Sequence, residues 1–179
     1  MRNRQTELLE LLETSGASLY ALLTRMTLRQ DVAEELMQEL FIKLSNVPDP
    51  EAVENWYAYA CRAAINLAFD WRREQKHTSV SLERVREPAS GERSPLDGLI
   101  HNEQLEEVLD GMGRLNDVSR EVLVMRYIQQ ESYEFIAEQI GKTPHHVRAL
   151  CSRALGRLRE ILRSNQPPSS SKEANDVEH

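Results

Sequence analysis

A chain of 179 residues, 40% hydrophobic and carrying a net charge of −7, has enough apolar material for one moderate core or two small ones. No apolar run approaches the roughly 20 residues that a bilayer span needs, and the charged, amphipathic stretch Met1 to Leu12 lacks a signal-peptide pattern, so a cytoplasmic protein without membrane insertion is expected. The sequence holds no phosphate-cradling glycine loop, no nucleophile beside a base and no metal-ligand cluster, which argues against an enzyme and against a bound cofactor or metal.

In chain order, Thr6 to Thr27 reads as a helix with Leu8, Leu11, Leu12, Leu19, Leu22 and Leu23 at its apolar positions, interrupted near Ser15-Gly16. Arg29 to Leu44 is a second helix, with Val32, Leu36, Leu40 and Leu44 inward and Glu34, Glu35, Gln38 and Glu39 on its polar face. Pro48 and Pro50 make 46–55 a loop. From Trp56 to about Lys76 a third helix carries aromatics first and arginines last. Residues 77–98 hold Pro88, Pro95 and scattered Ser and Gly without a sustained period, and read as a flexible linker. A second helical unit follows with Leu99 to Met112 and Asn116 to Ile128, and the tail 166–179 reads as disordered.

The most specific pattern runs from Ser132 to Arg163. Ile136, Ala137 and Ile140 give a short amphipathic helix; Ala137 is small enough for a steep helix crossing, and Gly141 tolerates the left-handed backbone of a turn. Thr143 can cap the next helix while Pro144 fits its first position. At about 100° per residue, Val147, Cys151, Ala154, Leu158, Ile161 and Leu162 form one apolar stripe, with Leu150 beside Val147 as a second inward anchor. His145, Ala149, Ser152, Arg153, Gly156 and Arg163 lie opposite, flanked by Arg148 and Arg157. This is the spacing of a DNA-reading helix-turn-helix. The small residues Ala149 and Gly156 would let a phosphate backbone approach, at about 1 kcal/mol of helix stability for the glycine.

The acidic net charge is unevenly distributed. Lys142 to Asn165 has six basic residues against Glu160 alone, a net +5, and Arg62 to Lys76 has Arg62, Arg72, Arg73 and Lys76 against Asp70 and Glu74, a net +2. Two basic islands in an acidic chain imply two DNA-facing surfaces, and an acidic remainder left for another partner. Cys61 and Cys151 fall on apolar stripes and read as buried thiols, and the adjacent His145 and His146 lack a third metal ligand in reach.

The layout resembles a known family. Asp31 to Phe41, Asn55-Trp56 leading to Ala64 through Arg73, and Leu115 to Leu162 with its Ser132 to Gly141 core are similar, in order and gap, to bacterial RNA polymerase sigma factors of the sigma-70 family, extracytoplasmic function (ECF) subfamily. The resemblance implies an all-α fold of two small helical domains: a region 2 bundle (1–76), the linker (77–98) and a region 4 helix-turn-helix (99–165). It implies binding to core RNA polymerase, through the coiled coil of the β′ subunit and through the β subunit, and to promoter DNA, with an anti-sigma factor as a conceivable regulator.

Residue by residue, the resemblance assigns polymerase docking to Glu34, Glu35, Gln38 and Glu39, with Glu35 standing where the family usually has Asp. Arg62, Asn66, Asp70, Trp71, Arg72, Arg73 and Lys76 fall on its minus-10 and promoter-melting helix. An amide and a carboxylate such as Asn66 and Asp70 can pair with the edge of an extruded base, while the basic side chains hold the backbone. Trp56 matches a position packed in the core. His145, His146, Arg148, Ala149, Ser152, Arg153 and Arg157 would face the minus-35 element in the major groove. Lys142, His146 and Leu150 depart from the family's usual residues, so base preference does not transfer. The alternative is a stand-alone dimeric helix-turn-helix regulator, which would recognise a palindrome unaided.

Overall fold

Helix formation here is decided by burial on both sides of each weak point. In the computed structural model, which describes residues 4–79 and 95–165, α1 runs unbroken from Arg4 to Thr27. The interruption expected at Ser15-Gly16 does not occur. Leu8 and Leu11 before it and Leu19, Leu22, Leu23 and Met26 after it are all buried, and that packing outweighs the local propensity of Ser and Gly. The helix ends where Leu28 adopts φ 57°. Helix α2 (Gln30–Ser45) buries Val32, Ala33, Leu36, Leu40 and Leu44, the expected inward set with Ala33 added.

Asn55 opens α3 (Trp56–Ser79), its Oδ1 accepting from the Ala58 N–H at 2.9 Å. Between it and α2, Pro50–Ala52 form one 3-10 turn inside the expected loop. Ala60, Ala64 and Ala68 are fully buried along α3 together with Cys61, Ile65 and Phe69; small side chains at these positions let α1 and α2 come close, and the three helices pack on one another. Trp56 is half-buried, edge-on to Tyr59 at 6.1 Å.

The second unit begins with α4 (Pro95–Gly113). A Cβ on Gly111 would stand 2.9 Å from Leu158 Cδ1 and 3.1 Å from Leu162 Cδ2, so α4 lies close enough to the last helix that a side chain there would displace those leucines. Asn116 caps α5 (Asp117–Leu123) by accepting from the Ser119 N–H at 2.9 Å. The helix then widens into a π turn over Val124–Ile128, with Gln129 N–H reaching the Val124 carbonyl at 3.0 Å. Helices α6 (Tyr133–Ile140) and α7 (Pro144–Asn165) complete the unit.

The fold is all-α, with two helical units, α1–α3 and α4–α7. Their buried side chains form one continuous cluster from Leu8 to Leu158. Of the expected linker, α3 takes the first residues to Ser79 and α4 the last from Pro95; residues 80–94, like the tail 166–179, lie outside the described residues.

Candidate nucleic-acid interface

The helix-turn-helix is built by local chemistry. Ser132 accepts from the Phe135 N–H at 3.0 Å to start α6. Gly141, at φ 65° and ψ 40°, ends it in the left-handed region, and the Lys142 N–H returns to the Ala137 carbonyl at 2.9 Å. Thr143 Oγ1 accepts from the His146 N–H at 3.3 Å and Pro144 takes the first helical position. Ala137 is buried at the crossing, and Val147, Cys151, Ala154 and Leu158 are buried beneath it. Leu150, expected inward, is only half-buried, because its direction on the helix carries it to the edge of that stripe.

The opposite face is open. His145, His146, Arg148, Ala149, Ser152, Arg153 and Arg157 are all exposed. Arg148 lies over the Tyr133 ring, its Cζ 5.2 Å from the centroid, with Arg126 also on that ring at 4.6 Å. Its Nη2 reaches Glu134 Oε1 at 3.4 Å, and Arg157 pairs with Glu160 at 2.9 Å. Among the described residues no cluster of metal-ligating side chains forms around the histidines.

A Cβ on Gly156 would meet nothing within 4 Å. Gly156→Ala is therefore expected to raise stability by about 1 kcal/mol in a urea melt and, where this face approaches a phosphate backbone, to weaken DNA binding. A gain in stability with unchanged DNA affinity removes the close-approach reason for the glycine.

The α3 face differs from the expectation of an open basic patch. Arg62 Nε stands 3.1 Å from both carboxylate oxygens of Glu121. Asn66 Oδ1 accepts from Arg120 Nη2 at 3.3 Å, and Arg120 also lies over the Phe69 ring at 4.9 Å. Arg72, expected to hold a nucleic-acid backbone, is only 6% exposed. Its Nη1 donates to the Met26 carbonyl at 3.2 Å, and its Nη2 bridges Glu106 Oε2 at 2.6 Å and Asp110 Oδ1 at 2.8 Å. Lys76 Nζ meets the other oxygen of Asp110 at 2.8 Å. Asp70 and Arg73 are exposed and pair with each other at 3.2 Å, and Trp71 is half-buried. In this conformation Arg72 cannot reach a phosphate, because two carboxylates of α4 already hold it.

Glu106, Asp110, Arg120 and Glu121 were not legible as parts of this face. The one local signal was the spacing of Glu106 and Asp110, which places both on the same side of α4. The units also meet through Asn55 Nδ2, which donates to Gln139 Oε1 at 3.0 Å, through Arg25 Nη1, which donates to the Ile128 carbonyl at 3.1 Å, and through Tyr57 edge-on to Phe135 at 6.1 Å. Burial pushes the Tyr57 hydroxyl up to about 12. The Cys61 and Cys151 thiols are both buried and raised for the same reason.

The acidic face of α2 is exposed at Glu34, Glu35, Gln38 and Glu39. Beside it lies a groove of about 510 Å³ lined by Leu12, Tyr20, Met37, Phe41 and Ile42 together with Glu34 and Gln38. Ile42 is 60% exposed, an apolar cost in water that charge counting on the helix overlooked.

A family model for Sigma-70 region 2 matches residues 11–78, and one for Sigma-70, region 4 matches residues 111–160. The chain is 27% identical over 137 residues to the probable RNA polymerase sigma factor RfaY of Xanthomonas campestris pv. campestris; the match takes in 74% of this chain and 34% of that relative, so the chain spans about a third of its length. It is 28% identical over 134 residues to the RNA polymerase sigma-E factor of Streptomyces coelicolor, covering 74% of this chain and 71% of the relative. Among solved structures, the sigma factor RpoE in complex with the anti-sigma factor NepR from Bartonella quintana aligns at 22% identity and TM-score 0.45, over 90% of this chain and 98% of that one. CnrH in complex with the cytosolic domain of CnrY aligns at 20% identity and TM-score 0.47, over 90% and 91%.

Proposed function

The chain belongs to the sigma-70 family, with region 2 at residues 11–78 and region 4 at 111–160, and from that premise we propose that it is an ECF-type sigma factor that binds core RNA polymerase, directs it to specific promoters and assists strand opening. The observation that carries this reading is the outward face of α7, where His145, Arg148, Ala149, Ser152 and Arg153 stand exposed on the second helix of a helix-turn-helix. That face supports insertion into the major groove of a minus-35 element, with arginine forks on guanine edges or phosphates. Asn66 and Asp70 on α3 support capture of a base extruded from the minus-10 strand. The chain contributes binding energy to opening; the chemistry of transcription belongs to polymerase.

Docking on polymerase is assigned to α2. Glu34, Glu35, Gln38 and Glu39 supply charge, and the groove around Met37, Phe41 and Ile42 supplies apolar area. An acidic surface of this kind is repelled by phosphate and suits a partner with basic side chains. Among the described residues no helix is long and apolar enough to cross a membrane. A dimeric regulator is not favoured, since it leaves the match to region 2 without a use.

In vitro transcription on a genomic fragment library, with core polymerase and with or without the protein, tests the proposal. Discrete transcripts that depend on the protein are expected; binding of duplex DNA as a dimer, with no polymerase association, overturns it. Replacing Gln38 by Ala and Phe41 by Ser removes about 2 kcal/mol of mainly apolar contact and is expected to weaken core binding by roughly thirtyfold. Fluorescence anisotropy of labelled protein titrated with core measures this, and unchanged affinity rules out the groove as the docking surface.

A further inference from the structure

We propose that Tyr133 and Arg126 are positioning residues for sequence reading: the Tyr133 ring, fixed by Arg126, presents the Arg148 guanidinium to the groove in a set direction. The pair thereby governs how sharply base sequences are told apart, not how tightly DNA is held. The inference deepens the reading of α7 as the helix that enters the major groove, and it rests on that reading.

The ring stands on a stiff mount. The chain leaves the π turn through Gln129 and Gln130, the latter at φ 61°, a backbone conformation rare for a side chain of that kind, and folds straight back. The Gln129 N–H donates to the Val124 carbonyl and the Glu131 N–H to the Met125 carbonyl, each at 3.0 Å. Arg126 closes this fold by donating from Nη1 to the Glu131 carbonyl at 2.7 Å, and its Cζ lies 4.6 Å from the centroid of the Tyr133 ring. On the other side Ser132 caps α6 by accepting from the Phe135 N–H. The backbone at Tyr133 is therefore tied in both directions, and its ring is held by a half-buried cation.

An unrestrained arginine turns as readily to a phosphate as to any of several base edges, and ordering it on one of them costs the freedom of a long side chain. Arg148 is restrained. Its Cζ lies 5.2 Å from the Tyr133 centroid and its Nη2 reaches Glu134 Oε1 at 3.4 Å. A ring attracts a guanidinium through its π face and takes up none of its N–H donors as a carboxylate does. The ring contact can thus persist while the fork engages a guanine edge, whereas Glu134 has to let go. Base discrimination needs that fixed direction; attraction to the phosphate backbone does not, because it depends on charge and not on the angle of approach.

The test is made in the complex with core polymerase. A promoter that depends on the protein is randomised across its minus-35 element and the transcripts are counted by sequencing, while anisotropy of a fluorescein-labelled random-sequence duplex measures general DNA affinity. In Tyr133→Leu, preference at the base positions where Arg148→Ala abolishes it is expected to fall roughly fivefold, the equivalent of about 1 kcal/mol and the scale of an exposed cation–π contact. Affinity for the random duplex and its salt dependence are expected to stay the same, and Tyr133→Phe, which keeps the ring, is expected to keep the preference. Unaltered preference in Tyr133→Leu overturns the proposal, as does a loss of random-duplex affinity equal to the loss of preference, which would make Tyr133 a structural residue only. If Arg148→Ala itself leaves every preference in place, the reading of α7 falls and the proposal with it. Should Tyr133→Leu lose its helical circular dichroism, Arg126→Met, which spares the ring and removes its mount, decides instead: a lowered preference supports the proposal and an unaltered one overturns it.

Discussion

Replacing Arg148 and Arg153 together by alanine is expected to lower promoter-specific transcription by roughly 30-fold to 20,000-fold, from about 1–3 kcal/mol for each bidentate arginine contact, while core polymerase binding stays unchanged. Both side chains stand on the exposed face of α7, away from the stripe of Val147, Cys151, Ala154 and Leu158 that anchors the helix, so the fold depends little on them. Arg148 must leave Glu134 to reach DNA. Their side chains are 57% and 65% exposed, and such a pair contributes at most about 1 kcal/mol. Tyr133 beneath the Arg148 guanidinium limits its swing and so lowers the entropy lost on docking. Transcription from a dependent promoter and anisotropy with core polymerase measure the two halves of the expectation. Normal transcription by the double variant would show that α7 is not the reading helix.

The second large effect concerns stability. Arg72→Ala is expected to cost about 3 kcal/mol, the lower end of what removing one partner of a buried ion pair costs. The lower end applies because Glu106 and Asp110 keep 20% and 24% of their side-chain exposure and Lys76 still holds Asp110. The Met26 carbonyl also loses its donor. Both tryptophans, Trp56 and Trp71, lie on α3, so in a urea titration fluorescence follows the first unit while circular dichroism follows all helices. A single coincident transition is expected for the unaltered chain. In the variant the two midpoints should fall and separate, because Arg72 ties α1 and α3 to α4. Arg72→Lys is expected to recover only part of the loss, since one ammonium cannot span the four acceptors that surround the guanidinium. Coincident, unshifted melts for Arg72→Ala would remove its structural role.

What the sequence revealed and what it hid divide by range. Gly141, Thr143 and Pro144 act on their own turn, so their types and order were enough to place α6 and α7. The inward set of α2 was equally plain, because a single stripe faces a single core. The Ser15-Gly16 break was misread because the forces that carry α1 through it come from α2 and α3. The α3 face was half legible: its basic residues announced an anion, but the anions that hold it in the structure come from Glu106, Asp110 and Glu121, 34 to 59 positions away. Nothing in a window of one helix turn records such a partner. Gly111 was hidden in the same way, its reason being Leu158 and Leu162 on another helix.

The widened turn at Val124–Ile128 makes residue number, at that point, matter more than residue identity. One amino acid beyond a regular helix is accommodated there, and a single deletion would let α5 run on undisturbed while rotating all that follows by about 100°. Tyr133 would swing away from Arg126, and the α6–α7 pair would leave the scaffold at a new bearing. Substitutions within the turn should be forgiven far more readily than a lost codon, since the aim of the reading head is set by a tally of peptide units.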